Sequence, residues 1–199
     1  VADAFGGKMN RVTGFFLRVK HWQLFLLIFG VYCIGQFVAM KSMVTAEPAA
    51  RAGGFGIPFW VLMMIFGFSF LAWFWAMGSF LSSILRPELR LKLGFFRFAL
   101  LYPIFYAFFF FKFVLSTRPV PVFVIVPLHL FAMFCFFYIV YFDSKSLVLA
   151  EKREPLSFSD YAGPFFLLWF FPIGVWIIQP KINRLYAGNR NPGDSPSKT

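Results

Sequence analysis

Apolar residues in this chain come in long unbroken blocks, not at the 3.6- or 2-residue period of a surface helix or a half-buried strand. Four blocks, residues 22–42, 57–85, 94–116 and 119–142, reach or exceed the roughly 20 residues that cross a hydrocarbon core of about 30 Å. Runs such as Phe108-Phe109-Phe110-Phe111 do not alternate, which argues against the strands of a membrane β-barrel. The pattern predicts an all-α integral membrane protein with four transmembrane helices in one membrane domain, residues 1–186. A Pro/Gly/Ser/Asn-rich tail, 187–199, reads as disordered.

The connections are short. Residues 45–56 form a Pro/Gly/Ala loop, residues 86–93 a basic loop opened by Pro87, and Arg118-Pro119-Val120-Pro121 is brief enough to demand a tight hairpin. The polar stretch 143–154 contains no breaker and is expected to carry the fourth helix into water as far as Pro155. The first twenty residues are basic and partly apolar (Phe15, Phe16, Leu17) and are expected to lie along the membrane surface. They resemble the n-region of a signal peptide, with Val44-Thr45-Ala46 like a cleavage site. The apolar stretch between is too long for a typical h-region, so a retained signal anchor is expected.

A fifth apolar segment, 164–179, behaves differently. Its 16 residues extend about 24 Å as a helix, short of the core, and Pro172 with Gly174 would break it midway. Charge gives an independent test, because Lys and Arg concentrate on the cytoplasmic side. If the N-terminus is inside and this segment turns back, 15 of the 19 basic residues lie inside and 4 outside; if it crosses, the split is 11 to 8. A re-entrant or interfacial fifth segment with both termini cytoplasmic is therefore expected, with five crossings as the alternative. Trp169 and Trp176 suit the headgroup level. Asp160 is placed to cap the segment's start, with Pro164 in the first turn. Gln179, Lys181, Asn183 and Arg184 would form a polar, basic cluster for anionic headgroups or an acidic partner.

Composition agrees with the pattern: 60% of residues are hydrophobic and 14% charged, against roughly 45–50% and 25% in soluble domains. Phe occurs 33 times and Trp six, enough to cover lipid-facing surface or, alternatively, to wall a site for a flat ring system. Cys33 and Cys135 sit inside apolar blocks and read as packing residues. The net charge of +11 satisfies the positive-inside pattern and attracts anionic lipid, so no nucleic-acid partner is expected.

Little in the sequence offers catalysis. All eight acidic residues fall in loops, tails or helix ends, leaving no intramembrane carboxylate for proton or sodium coupling or for an aspartyl protease. Gly-x-Ser-x-Gly and His-Glu-x-x-His do not occur, and Gly6-Gly7-Lys8 lacks the rest of a phosphate-binding loop. No metal site and no enzyme are expected. His21 and His129 differ by about 15 Å in depth, which excludes bis-histidine haem ligation. Single ligation of a tetrapyrrole at His129, or carotenoid binding on the aromatic surface, stays open; the other reading of His129 is a hydrogen bond to a neighbouring helix.

Gln36 is expected to hydrogen-bond between helices, and Arg97 and Lys112 to reach the headgroups. On the second helix, Ser69, Ala72, Ala76, Ser79 and Ser83 recur at 3, 4, 3, 4 spacing, a small-residue face for close helix approach.

The stretch from Ser157-Phe-Ser-Asp160-Tyr161 through Trp169-Phe-Phe-Pro172-Ile-Gly174-Val-Trp176-Ile-Ile-Gln179-Pro180-Lys-Ile-Asn183 resembles the C-terminal end of small uncharacterised bacterial multi-pass membrane proteins. The resemblance implies a bacterial inner-membrane protein and carries no activity. The sequence thus predicts a non-catalytic membrane protein acting through helix contacts with itself or other subunits. An oligomeric channel and a lipid- or pigment-binding protein are the alternatives.

Overall fold

The computed structural model describes residues 11–45, 57–114 and 121–190, and every regular element among them is helical. In chain order these are α1 (Arg11–Arg18), α2 (His21–Phe25), a π-helical turn (Leu26–Gly30), α3 (Val31–Thr45), α4 (Ile57–Ile84), a 3₁₀ turn (Pro87–Leu89), α5 (Leu93–Val114), α6 (Val122–Lys152), α7 (Phe158–Trp169) and α8 (Phe171–Arg190). Four helical stretches are long and apolar enough to cross a membrane: His21–Thr45, Pro58–Ile84, Leu93–Phe110 and Val122–Lys152. They coincide with the four apolar blocks. The protein is an all-α membrane protein with four such helices and a broken fifth segment. The loop 46–56, residues 115–120 of the expected tight hairpin, and 191–199 of the tail lie outside the described residues. The tail was expected from 187, but α8 continues through Arg190. Its anchored Tyr186 is buried, and lengthening an existing helix fixes only one residue per hydrogen bond gained.

The contacts group into two compact units. One comprises 26–71 and 94–139 and the other 1–25, 72–93 and 140–199.

In the first, α5 and α6 run antiparallel along an aromatic seam. Phe95 meets Tyr138 edge-on at 4.6 Å and Tyr102 meets Phe131 edge-on at 4.7 Å, geometry that adds about 0.5–1.5 kcal/mol per pair to area burial. The Tyr102 hydroxyl donates to the Leu128 carbonyl at 3.1 Å. Against α4, the buried face of α3 is Gly35 and Ala39, a small-xxx-small pair that lets helices approach closely; a Cβ on Gly35 would run into the end of the Met63 side chain. Gln36, expected to bond between helices, is exposed and makes no hydrogen bond to the described residues. It is adjacent to Gly35 in sequence and so points about 100° away from the contact face.

The second unit holds the bulky core. Trp73, Phe74, Met77, Phe80 and Leu81 of α4 are each at most 1% exposed. Within this chain the buried face of α4 thus carries these large residues, with Ala76, Gly78 and Ser82 among them. Of the small row, Ala76 alone is buried, Ser69, Ala72 and Ser79 are half-buried, and Ser83 is exposed, its hydroxyl donating to its own helix at Phe80. The C-terminal part of α6, expected to project into water, is buried from Phe142 through Ala150 apart from Lys145. The helix length was legible, but its surroundings are set by elements far away in sequence.

The fifth segment is two helices meeting at a corner. At Phe170 (φ −86°, ψ 59°) the chain leaves α7, with its N–H still bonded to the Phe166 carbonyl at 2.8 Å. Pro172 is the second residue of α8, where a missing N–H costs nothing. The segment is broken midway as expected, but at Phe170, with Pro172 and Gly174 both inside α8. Gly174 does not interrupt the helix: its N–H donates to the Phe170 carbonyl at 2.9 Å. It allows contact instead, since a Cβ there would overlap the Leu167 carbonyl oxygen. Pro164, expected in a first turn, lies inside α7 because Ser157 starts that helix earlier.

Gly174→Ala should therefore open the α7–α8 corner and cost about 1–3 kcal/mol or more, the range for overpacking against groups that cannot move aside. Thermal unfolding in detergent measures it. A variant as stable as wild type would show that the corner has slack.

Candidate functional site

The most connected polar cluster lies where α8 crosses the bend between α1 and α2. The last carbonyls of any helix lack intrahelical partners, and α1 ends at Arg18 only two residues before α2 begins. Gln179, fully buried, supplies the missing donors: its Nε2 reaches the Phe16 carbonyl at 2.8 Å and the Val19 carbonyl at 3.0 Å. Its Oε1 accepts from Trp73 Nε1 at 2.8 Å. One turn on, Asn183 Nδ2 donates to the Val19 carbonyl at 3.2 Å. A further turn brings Tyr186, whose hydroxyl accepts from the Arg18 guanidinium at 3.2 Å. Gln179, Asn183 and Tyr186 are spaced 4 and 3, so they form one stripe of α8. On the far side of the bend, Gln23 Oε1 accepts the Lys20 N–H at 3.1 Å, as a capping-box glutamine does.

Gln179 and Asn183 are thus turned toward the protein, a correction to their expected place among the headgroups. Burial in a core lets one amide satisfy two backbone acceptors and an indole donor at once. Lys181 pairs with Glu151 at 3.1 Å. Trp176 is half-exposed and lies 4.8 Å from the His21 ring, and Trp169 is half-exposed at the end of α7. Arg184 points elsewhere, into a cleft it shares with Arg86 and Arg153.

Asp160 is the third residue of α7, and Ser157 is the N-cap. The Asp160 carboxylate accepts the Ser157 N–H at 2.8 Å and the Ser157 hydroxyl at 2.9 Å, and it pairs with Lys152 across the α6–α7 turn. The Lys152 ammonium, then the two Ser157 donors, hold its pKa down to about 2. Lys145 also donates to the Tyr141 hydroxyl at 3.0 Å and lies over the Tyr161 ring, tying α6 to α7.

Two placements concern chemistry. His129 lies on the exposed side of α6 in the other unit, its Nδ1 2.9 Å from the Tyr106 hydroxyl on α5. Asp143 was grouped with acids at helix ends; instead it is fully buried on α6, and neither carboxylate oxygen has a hydrogen-bond partner among the described residues. The Ser146 hydroxyl, also buried, is likewise unpartnered there. No group of three or more His, Cys, Asp or Glu that could hold a metal occurs among the described residues.

Gln179→Met should preserve volume while stranding the Phe16 carbonyl and the Trp73 indole N–H, the Val19 carbonyl keeping its bond from Asn183. At roughly 1–3 kcal/mol for each unsatisfied buried group, destabilisation of about 2 kcal/mol or more is expected in denaturant titration. Trp73→Phe, which strands only one amide oxygen, should cost less; equal costs would contradict this accounting. The depressed Asp160 pKa makes its contribution complete above about pH 4, the unfolded value, and lost as pH falls through about 2. Amide exchange at the start of α7 should accelerate over that window in wild type and be fast and pH-independent, after correction for intrinsic rates, in Asp160→Asn. Identical profiles would show that the pair does not hold the turn.

No protein-family model, curated protein or solved structure matches the chain.

Proposed function

We propose that this chain is a non-catalytic, multi-pass protein of the bacterial plasma membrane that works through contacts, as an accessory subunit or a self-associating module. The observation that carries this reading is the commitment of α8's polar stripe to the chain's own N-terminal bend. A segment whose Gln179 and Asn183 amides are turned inward serves as a clamp that shapes a surface. The bacterial assignment rests on the resemblance of residues 157–183.

The same contacts support four crossings. Gln179 reaches Phe16 and Val19, Lys181 reaches Glu151, and Arg184 shares a cleft with Arg86 and Arg153. These ties favour one membrane side for the N-terminal region, the 86–93 loop, the α6–α7 turn and the end of α8. The surplus of basic residues there makes that side cytoplasmic.

Asp143 favours a second reading, an oligomeric facilitator, because a buried intramembrane carboxylate is costly and commonly serves ion or proton passage. Purification in mild detergent with native mass measurement separates the two. The first reading expects a defined assembly with itself or other chains and no ion or proton flux in liposomes. Flux that Asp143→Asn abolishes would replace it with the second. A lone chain without flux would sink both.

A further inference from the structure

We infer that the cleft formed by the ends of α4, α6 and α8 binds a phosphate-bearing anion, and that its source is an anionic phospholipid of the surrounding leaflet. The cleft measures about 490 Å³ and brings together Arg86, Arg153 and Arg184 over an apolar wall that includes Leu85, Ala150 and Leu185. These three arginines come from three separate stretches of sequence, so their convergence is a product of the fold. No carboxylate lines the cleft, although Glu88 and Glu154 are near neighbours in sequence.

Five other cations of this unit have partners. Arg18 donates to Tyr186, Lys145 to Tyr141, Lys152 to Asp160, Lys181 to Glu151, and Arg90 to the Leu85 carbonyl. The Arg86, Arg153 and Arg184 guanidiniums make no hydrogen bond or ion pair among the described residues. Arginine near a helix C-terminus has an ordinary explanation, neutralising the terminal carbonyls. At α4 that role is already filled by Arg90.

Arg153 adds a second observation. It follows α6 directly with φ at 59°, the left-handed conformation that ends many helices and is usually occupied by glycine. Its backbone N–H closes the helix on the Leu149 carbonyl at 2.9 Å. A glycine would perform that task without strain, so the backbone gives no reason for an arginine there. The side chain's place in the cleft does.

Three arginines lining one cleft suit phosphate oxygens, which guanidinium groups can grip bidentately. The apolar wall has no use for a free phosphate, but it matches the glycerol and first acyl carbons of a lipid. α4 and α6 are candidate membrane spans, so their shared end lies at the height of headgroups. Basic pockets between membrane helices on the cytoplasmic face recognise such headgroups. The inference does not depend on whether the chain assembles with partners.

The test is lipid retention by the full chain, measured by native mass spectrometry after exchange between phosphatidylcholine nanodiscs with and without phosphatidylglycerol. Wild type should retain phosphatidylglycerol selectively. Arg86→Gln, Arg184→Gln and Arg153→Gly should each weaken retention about fivefold, from roughly 1 kcal/mol per basic residue at the surface. Arg153→Gly should unfold no earlier than wild type, separating loss of the ligand from loss of the helix end. Lys20→Gln, an equal charge change outside the cleft, should leave retention unchanged. If Lys20→Gln weakens retention as much as the cleft variants do, the effect is general surface charge and the site is wrong. If glycerol phosphate or inorganic phosphate binds with the same dependence on the three arginines while phosphatidylglycerol is not retained, the ligand is soluble and the lipid assignment fails.

Discussion

A helix that stops inside a protein leaves carbonyls that water cannot reach, and each must find a donor or the fold gives up free energy comparable to a lost hydrogen bond. The bend between α1 and α2 creates that requirement at Phe16 and Val19, and Gln179 meets it from more than 150 residues away along the chain. This requirement sets where α8 runs. Once Gln179 faces the bend, Asn183 and Tyr186 follow on the same stripe, and Trp73 is held through the amide oxygen. The position of α8 in turn sets the corner at Phe170, because Gly174 must slide under the Leu167 carbonyl for the two helices to meet.

The surrounding charges reinforce this arrangement. The two ion pairs, Lys152 with Asp160 and Lys181 with Glu151, each join α6 to one helix of the corner. Both are partly exposed and therefore modest in energy, so their role is to select one docking of α7 and α8 rather than to drive it. The apolar core beneath, with Trp73, Phe74 and Phe80 of α4 almost wholly excluded from solvent, provides the driving force. The arginine trio of the cleft takes no part in these pairs.

Aromatic abundance has two uses in the unit that holds α5. Between α5 and α6, Phe95, Tyr138, Tyr102 and Phe131 form edge-on pairs that register an antiparallel hairpin, and Tyr106 meets His129 in the same seam. Others, such as Phe105 and Phe123, are at least two-thirds exposed, as suits a surface that meets hydrocarbon. Phenylalanine serves both ends because lipid and protein interior are equally apolar. The Tyr102 and Tyr106 hydroxyls that enter the seam find partners at the Leu128 carbonyl and His129.

The sequence alone determined the class and most of the layout. Twenty-residue apolar blocks leave a chain no other way to hide its backbone from hydrocarbon than four helices, and Pro172 marked the fifth segment as broken. That information is local, so it could be read locally. The tertiary structure decided the rest. Gln179 and Asn183 look like headgroup ligands beside Lys181 and Arg184, because their true acceptors are backbone carbonyls, which every residue possesses and no sequence pattern flags. Gly174 looks like a helix breaker and is a contact point. The pair Gly35 and Ala39 could have been found by its small-residue spacing, whereas the more conspicuous row from Ser69 to Ser83 yields its buried face to bulky neighbours. Asp143 looks like a solvated helix end until α6 is seen to continue through a core. Each of these depends on which distant surface a side chain meets, and long-range packing, not local preference, makes that choice.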